Sequence, residues 1–215
     1  MIELRNLKIV IFDCDGVLFN SLRANTEFYN EIARRAGRQK LSPEELSYCH
    51  MHTAEESIRF IFRRQPHLLE KAFNCYKRMD YGDFLKYMET EPAMVETVRA
   101  IGSRYYTAIS TNRSTTMPRL RQIYSLDDIF DKIVCALDVK NPKPHPEGVW
   151  MILEDFGLKP GDAVYVGDSK VDEEVSKRAG VPFVAYKNSG LDARFHVEHF
   201  EELSDLLMKG SKGIK

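Results

Sequence analysis

The chain is expected to be an α/β protein: a parallel sheet with helices on both faces and an all-helical insert. Three observations carry that expectation. Short apolar runs recur along the 215 residues with helix-patterned segments between them, the order that builds parallel sheets. The runs are continuous rather than alternating, which fits strands buried on both sides. The rhythm then fails from about Ser21 to Thr90, where only helical patterning is visible. A chain of this length can bury one good core and a smaller second one.

The first run, "KIVIF" (8–12), reads as a strand and leads straight into Asp13-Cys14-Asp15-Gly16. The insert follows. "SLRANTEFYNEIARRAG" has apolar residues at helical spacing and a glycine stop at Gly37. "SPEEL" opens a second helix with a serine cap and a proline at its first position. "TAEESIRFIFRR" opens a third with a capping-box pattern from Thr53 to Glu56, and residues 67–88 supply a longer helical stretch. Beyond the insert, "YYTAIS" (105–110) is the second strand, followed by helix-like "STTMPRLRQIY". "DKIVCAL" (131–137) is the third, with a helix through "EGVWMILEDFG". "AVYVGD" (163–168) is the fourth, with a helix through "KVDEEVSKRAG", and "VPFVAY" (181–186) is the fifth. The domain boundaries read as 1–20 with 91–215 for the sheet and 21–90 for the helical part; the tail 209–215 is expected to fray.

Bulk properties exclude several classes. A net charge of −1 gives no general attraction to nucleic acid or to anionic membrane. No apolar run approaches ~18 residues, and the N-terminus lacks a signal-peptide pattern. The four cysteines, Cys14, Cys49, Cys75 and Cys135, form no CxxC, so a reducing cytoplasm is the simplest location.

Asp13 and Asp15 pose a physical problem. Like charges at close range repel, and burial raises the cost. A metal ion is the obvious compensation. Two residues of spacing at an extended strand end put both side chains near one face. Three more polar motifs stand at strand ends, where open α/β sheets place their sites: Thr111-Asn112, Lys143-Pro144-His145-Pro146-Glu147, and Gly167-Asp168-Ser169 with Asp172 four positions after Asp168.

With these four motifs in this order, and a helical insert between the first two, the chain resembles the haloacid dehalogenase superfamily. The likeness is to its capped phosphatases of the phosphoglycolate phosphatase and β-phosphoglucomutase type, and it covers nearly the whole chain. It implies a Rossmann-like sheet of order 3-2-1-4-5 under a helical cap. It implies a Mg²⁺-dependent phosphatase acting on a small phosphate ester, as a monomer or homodimer, with no nucleic-acid or membrane partner. Asp13 would be the nucleophile that forms an aspartyl phosphate, and Asp15 the general acid and base. Mg²⁺ would sit on Asp13, Asp168 and the backbone carbonyl of Asp15. Thr111 and Lys143 would stabilise the transferring phosphoryl group, with Asn112 and Gly16 beside it. Asp172 and Ser169 would hold the metal site from behind. Lys140 competes with Lys143; the Lys-Pro-x-Pro-acid pattern favours Lys143.

The sequence departs from its relatives in places. Asn20-Ser21 replaces the usual Asp-Ser or Asp-Thr. Asn25 stands where the mutases carry a cap histidine, which argues for a hydrolase, and Asp15 argues against a true dehalogenase. His50 and His52 flank Met51, which replaces a usual glycine; they read either as a polar cap loop or as a substrate-facing one. Asp168 and Asp172 also fit a plain helix start. Cys14 reads as an inert packed thiol. Residues 22–90 hold twelve Lys and Arg against ten Asp and Glu, a slight excess that suits an anionic ligand only weakly. Phosphoglycolate-like substrates lead, followed by sugar phosphates, nucleotides and pyrophosphate. A phosphomutase is the alternative reaction, and the alternative of another class is a non-catalytic relative that binds a phospho-ligand.

Overall fold

The computed structural model describes residues 6–52 and 54–209. They fall into two compact units, one from the residues up to Asn20 together with those from Thr90 onward, the other spanning Ser21–Glu89.

The first unit is built on strand β1 (Ile9–Phe12), whose four side chains are all fully buried. A strand buried on both faces must be central, and this one pairs in parallel with β4 (Tyr106–Ser110) on one side and β6 (Ala163–Gly167) on the other. Outward from β4 lies β5 (Lys132–Val134); outward from β6 lie β7 (Phe183–Tyr186) and β8 (Phe195–Val197). The sheet order is β5-β4-β1-β6-β7-β8. The five strands read from the sequence thus take the expected order 3-2-1-4-5, and the structure adds a sixth at the edge. That strand was not legible because it is three residues long, with an exposed histidine in its middle. The third strand also ends three residues earlier than expected. The Asp138 carboxylate accepts the backbone N–H of Cys135 at 2.8 Å and closes a turn there.

Helices α5 (Met94–Gly102), α6 (Met117–Tyr124), α7 (Glu147–Asp155), α8 (Lys170–Ala179) and α9 (Phe200–Lys209) belong to this unit. One cluster packs Ile9, Ile11 and Tyr165 of the sheet against Val149 and Ile152 of α7 and Val175 of α8. Burying each such aliphatic side chain contributes roughly 1.5–3 kcal/mol.

The second unit holds α1 (Leu22–Ala36), α2 (Pro43–Met51), α3 (Ala54–Ile61) and α4 (Leu69–Arg78). Helix α1 ends at Gly37, whose φ of 99° would strain any other residue. Helix α2 starts with the expected Ser42 cap, Pro43, and a reciprocal bond with Glu45. The expected Thr53 box lies outside the described residues, as does the tail from residue 210. The stretch 67–88 is broken: α4 stops at Arg78, and Tyr81–Tyr87 wind as a 3₁₀ helix. Asp80 causes the break, since its side chain captures the Gly82 N–H at 2.7 Å and offers the backbone an alternative to helix. Phe28 centres the core of this unit, meeting Tyr29, Tyr76, Tyr81 and Phe84 edge-on. Two short strands, β2 (Phe19–Asn20) and β3 (Glu89–Thr90), form a separate two-stranded sheet, so the interval from Ser21 to Thr90 is not wholly strand-free.

Candidate active site

The carboxyl ends of β1, β4 and β6, with the loop after β5, bring the polar motifs of the first unit together. The Asp13 N–H donates to the Val166 carbonyl at 2.9 Å, so the β1–β6 ladder runs on into the first aspartate. Behind it the chain turns tightly, with the N–H groups of Leu18 and Phe19 both donating to the Cys14 carbonyl. Gly16 is needed twice over. Its φ is 80°, and a Cβ placed there would lie 2.0 Å from Asp168 Oδ2. The glycine is the space in which the Asp168 carboxylate sits.

At the centre is Lys143. Its Nζ donates to Asp13 Oδ1 at 2.7 Å, to Asp172 Oδ1 at 2.7 Å and to the Tyr165 hydroxyl at 3.1 Å. Three donors meet three acceptors, so the ammonium is fully bonded while only 7% exposed. Lys140 is exposed, and its backbone N–H donates to Glu147; of the two competing lysines, Lys143 is the one at Asp13. The Glu147 side chain also accepts from Asn141, so the acid of the Lys-Pro-x-Pro-acid pattern closes the loop that delivers Lys143.

Asp172 is completely buried. Its other oxygen, Oδ2, accepts from the Ser169 hydroxyl at 2.5 Å and the Ser169 N–H at 3.2 Å, while Ser169 Oγ accepts the Asp172 N–H. This is the capping box that starts α8, so the helix-start reading of the motif is correct as geometry. The same carboxylate is nonetheless a counter-ion of Lys143.

Asn112 lies beside Thr111, but both ends of its amide are engaged by the backbone of Lys143: Nδ2 donates to the carbonyl at 2.9 Å and Oδ1 accepts the N–H at 2.8 Å. Thr111 is buried, and its Oγ1 accepts the Arg113 N–H at 3.1 Å. Two further site residues escaped the sequence reading. Tyr165 lies inside a run that reads only as a strand, although a hydroxyl in a buried strand needs a partner. Arg113 adjoins Thr111-Asn112, and its Nη2 donates to Asp15 Oδ1 at 2.6 Å.

His50 and His52 are on the second unit. His50 belongs to the last turn of α2 and lies 3.5 Å from the Asn25 amide; burial pulls its pKa down. His52 is exposed, stacks on Tyr48 at 3.7 Å, and contacts the Tyr48 carbonyl at 2.9 Å. The pair therefore shares no common environment.

Electrostatics follow burial. Removal from water, reinforced by Asp172, lifts Asp13 to about 7 against the pull of Lys143. Burial, again with Asp172 behind it, lifts Asp168 to about 6. Burial also opposes the charge on Lys143, but Asp13, Tyr165 and Asp172 outweigh it and hold the ammonium well above its ordinary range. The Cys14 thiol is pushed well up by burial first and Asp15 second, which fits an inert thiol.

Ligand atoms of Asp13, Asp168 and Asp172 lie within 4.8 Å of one another, a grouping able to hold a cation. Asp172 is saturated by Lys143, Tyr165 and Ser169, which leaves Asp13 Oδ2 and the Asp168 carboxylate as the side-chain donors. An all-oxygen set with few protein ligands suits a hard divalent ion, and the Gly16 cradle keeps room for one of the two carboxylates.

A carboxylate cluster around one buried lysine stands at the carboxyl edge of a parallel sheet, where open α/β enzymes place their sites. A family model described as haloacid dehalogenase-like hydrolase matches residues 10–186, and the chain belongs to that family. It is similar to a crystal structure of a HAD-superfamily hydrolase, subfamily IA, variant 1, from Geobacter sulfurreducens, with 40% identity, a TM-score of 0.88, and 94% of this chain and 97% of that one covered. It is 26% identical to pyrophosphatase PpaX of Bacillus cereus over 94% of this chain and 95% of the relative. It is 29% identical to the phosphorylated carbohydrates phosphatase of Thermotoga maritima, over 81% of this chain and 82% of the relative. Among the described residues no helix is long and apolar enough to cross a membrane.

Proposed function

We propose that this hydrolase is a Mg²⁺-dependent phosphatase of a small phosphorylated metabolite, working through an aspartyl-phosphate intermediate. The observation that carries the reading is Lys143 bridging Asp13 and Asp172 with Asp168 alongside, an arrangement that fixes one carboxylate at the strand end and sets a cation against it. The names of the relatives, a pyrophosphatase and a phosphorylated-carbohydrate phosphatase, support a phosphoryl-transfer site that accepts small molecules.

Asp13 attacks phosphorus: a new O–P bond forms as the bond to the leaving oxygen breaks. Asp15 delivers its proton to that oxygen, then takes a proton from the water that cleaves the acyl phosphate, and Asp13 returns to a carboxylate. Lys143 offsets negative charge on Asp13 and on the transferring group. Thr111 Oγ1 already accepts the Arg113 N–H, so its own hydrogen is directed elsewhere and can be donated to a phosphoryl oxygen. Asn112 serves differently from first expectation: it braces the Lys143 backbone rather than binding substrate. Mg²⁺, held by Asp13, Asp168 and the Asp15 carbonyl, would supply charge neutralisation for the incoming phosphate. Phosphoglycolate-like esters lead the substrate list, with pyrophosphate and sugar phosphates next.

The test is a rapid-quench trap with ³²P-labelled acetyl phosphate and Mg²⁺. The chain should carry an acid-stable, base-labile label that is absent in Asp13→Asn, and the variant should not turn over. Appreciable activity in a clean Asp13→Asn preparation would sink the covalent mechanism.

A further inference from the structure

Arg113 has no part in the chemistry just described, yet its position is closely specified. Its backbone N–H donates to Thr111 Oγ1 at 3.1 Å, and its carbonyl accepts the Ala136 N–H at 2.9 Å. The side chain is 8% exposed, with Nη2 at 2.6 Å from Asp15 Oδ1 and Nη1 at 3.3 Å from Thr116 Oγ1. A guanidinium is therefore fixed against the carboxylate that faces the leaving oxygen. Lys143, the other cation of the site, is locked between Asp13 and Asp172 on the phosphoryl side.

We propose that Arg113 is a specificity residue that favours substrates whose leaving group is itself anionic, a carboxylate or a second phosphate. The inference rests on the phosphatase reading above and deepens it. A phosphoryl group adds negative charge on the Lys143 side. A leaving group with a charge of its own must then sit beside Asp15, where taking that charge out of water is costly unless a cation stands close. Arg113, held at Asp15, is the cation placed to offset that cost, and a planar, permanently charged fork suits carboxylate and phosphate oxygens alike. A neutral alcohol gains nothing from it.

The experiment compares phosphoglycolate with ethyl phosphate, which differ by a carboxylate in place of a methyl, and adds pyrophosphate as a second anionic case. The unmodified chain should prefer phosphoglycolate over ethyl phosphate in kcat/KM by at least roughly tenfold, the scale of one charged hydrogen bond. Arg113→Met should lower kcat/KM for phosphoglycolate and pyrophosphate by roughly 10–100-fold more than for ethyl phosphate, and Arg113→Lys should recover part of the difference. Inhibition by methylenediphosphonate should weaken in Arg113→Met, while inhibition by methylphosphonate should not. Equal losses for all three substrates would make Arg113 only a support for Asp15 and overturn the inference, leaving the phosphatase reading intact. Equal kcat/KM for phosphoglycolate and ethyl phosphate in the unmodified chain would overturn it even if Arg113→Met failed to fold. No hydrolysis of these or other phosphate esters in Mg²⁺ would remove the phosphatase reading and the inference with it.

Discussion

Replacing Lys143 with methionine tests the electrostatic centre of the site. In the folded chain the ammonium is 7% exposed and lies 2.7 Å from two carboxylates whose side chains are 11% and 0% exposed. Methionine keeps the bulk and removes the charge, leaving Asp13 and Asp172 buried together without a cation. Breaking a buried pair by deleting one partner costs about 3–5 kcal/mol, and for a chain of this size each kcal/mol lowers Tm by roughly 2–4 °C. A fall of roughly 6–20 °C is expected at pH 8 in EDTA. The loss should shrink on acidification. Asp13 is already raised from 3.8 to about 7 in the folded state, and without Lys143 it moves higher. Between about pH 4 and 7 the folded chain therefore binds more protons than the unfolded one, so stability falls as pH rises, and more steeply in the variant. At pH 5 the stranded Asp13 takes up a proton and much of the penalty disappears. Adding Asp172→Asn to Lys143→Met removes one of the two carboxylates and should recover part of the Tm. Turnover should drop by roughly 10²–10³-fold, the scale of one lost electrostatic contact to the transition state. Thermal melts at pH 5 and pH 8 decide the matter. A Tm loss below about 2 °C, or the same loss at both pH values, would refute the argument that Lys143 compensates two buried charges.

Other substitutions separate roles within the site. Asp15→Asn should lose roughly 10²–10⁴-fold in rate with its Mg²⁺ titration curve little changed, whereas Asp168→Asn should raise the Mg²⁺ requirement; coincident curves would contradict the assignment. Gly16→Ala should resemble Asp168→Asn in Mg²⁺ titrations, because a Cβ at 2.0 Å from Asp168 Oδ2 forces that carboxylate aside; an unchanged titration would mean that the carboxylate does not hold the ion from that position. Asn112→Ala should lower kcat while leaving KM near normal, since the amide braces the Lys143 backbone; a rise in KM alone would return Asn112 to direct substrate contact.

The frame of this fold was legible because burial on both faces leaves a plain mark. "KIVIF" and "AVYVG" are unbroken apolar runs, and they are the two central strands after Lys8 is set aside. Edge elements leave no such mark, so β8, α5 and α9 were not read. The 3₁₀ segment at Tyr81–Tyr87 was hidden for another reason: its apolar spacing is helical, and the single hydrogen bond from Asp80 that breaks the helix is a local choice that periodicity does not see. Within the site, the aspartates and Lys143 stood out through their motifs. Arg113 and Tyr165 did not, because what places each in the site is a contact with a residue distant in sequence, Arg113 with Asp15 98 positions away and Tyr165 with Lys143 22 positions away. The bonds of Asn112 to the Lys143 backbone were hidden on the same ground, since a strand-end amide looks alike whether it meets a ligand or a neighbouring loop.

The capping box at Ser169 has a spectroscopic use. One oxygen of Asp172 accepts the Ser169 amide while the other accepts Lys143. The carboxylate thus couples a backbone proton to the ammonium at the heart of the site. The amide resonance of Ser169 becomes a resident reporter: whatever draws Lys143 toward a bound phosphate alters the electron density on Asp172 and shifts that signal. The first turn of α8 can then be followed by NMR through each stage of a reaction, with no label attached near the reacting atoms.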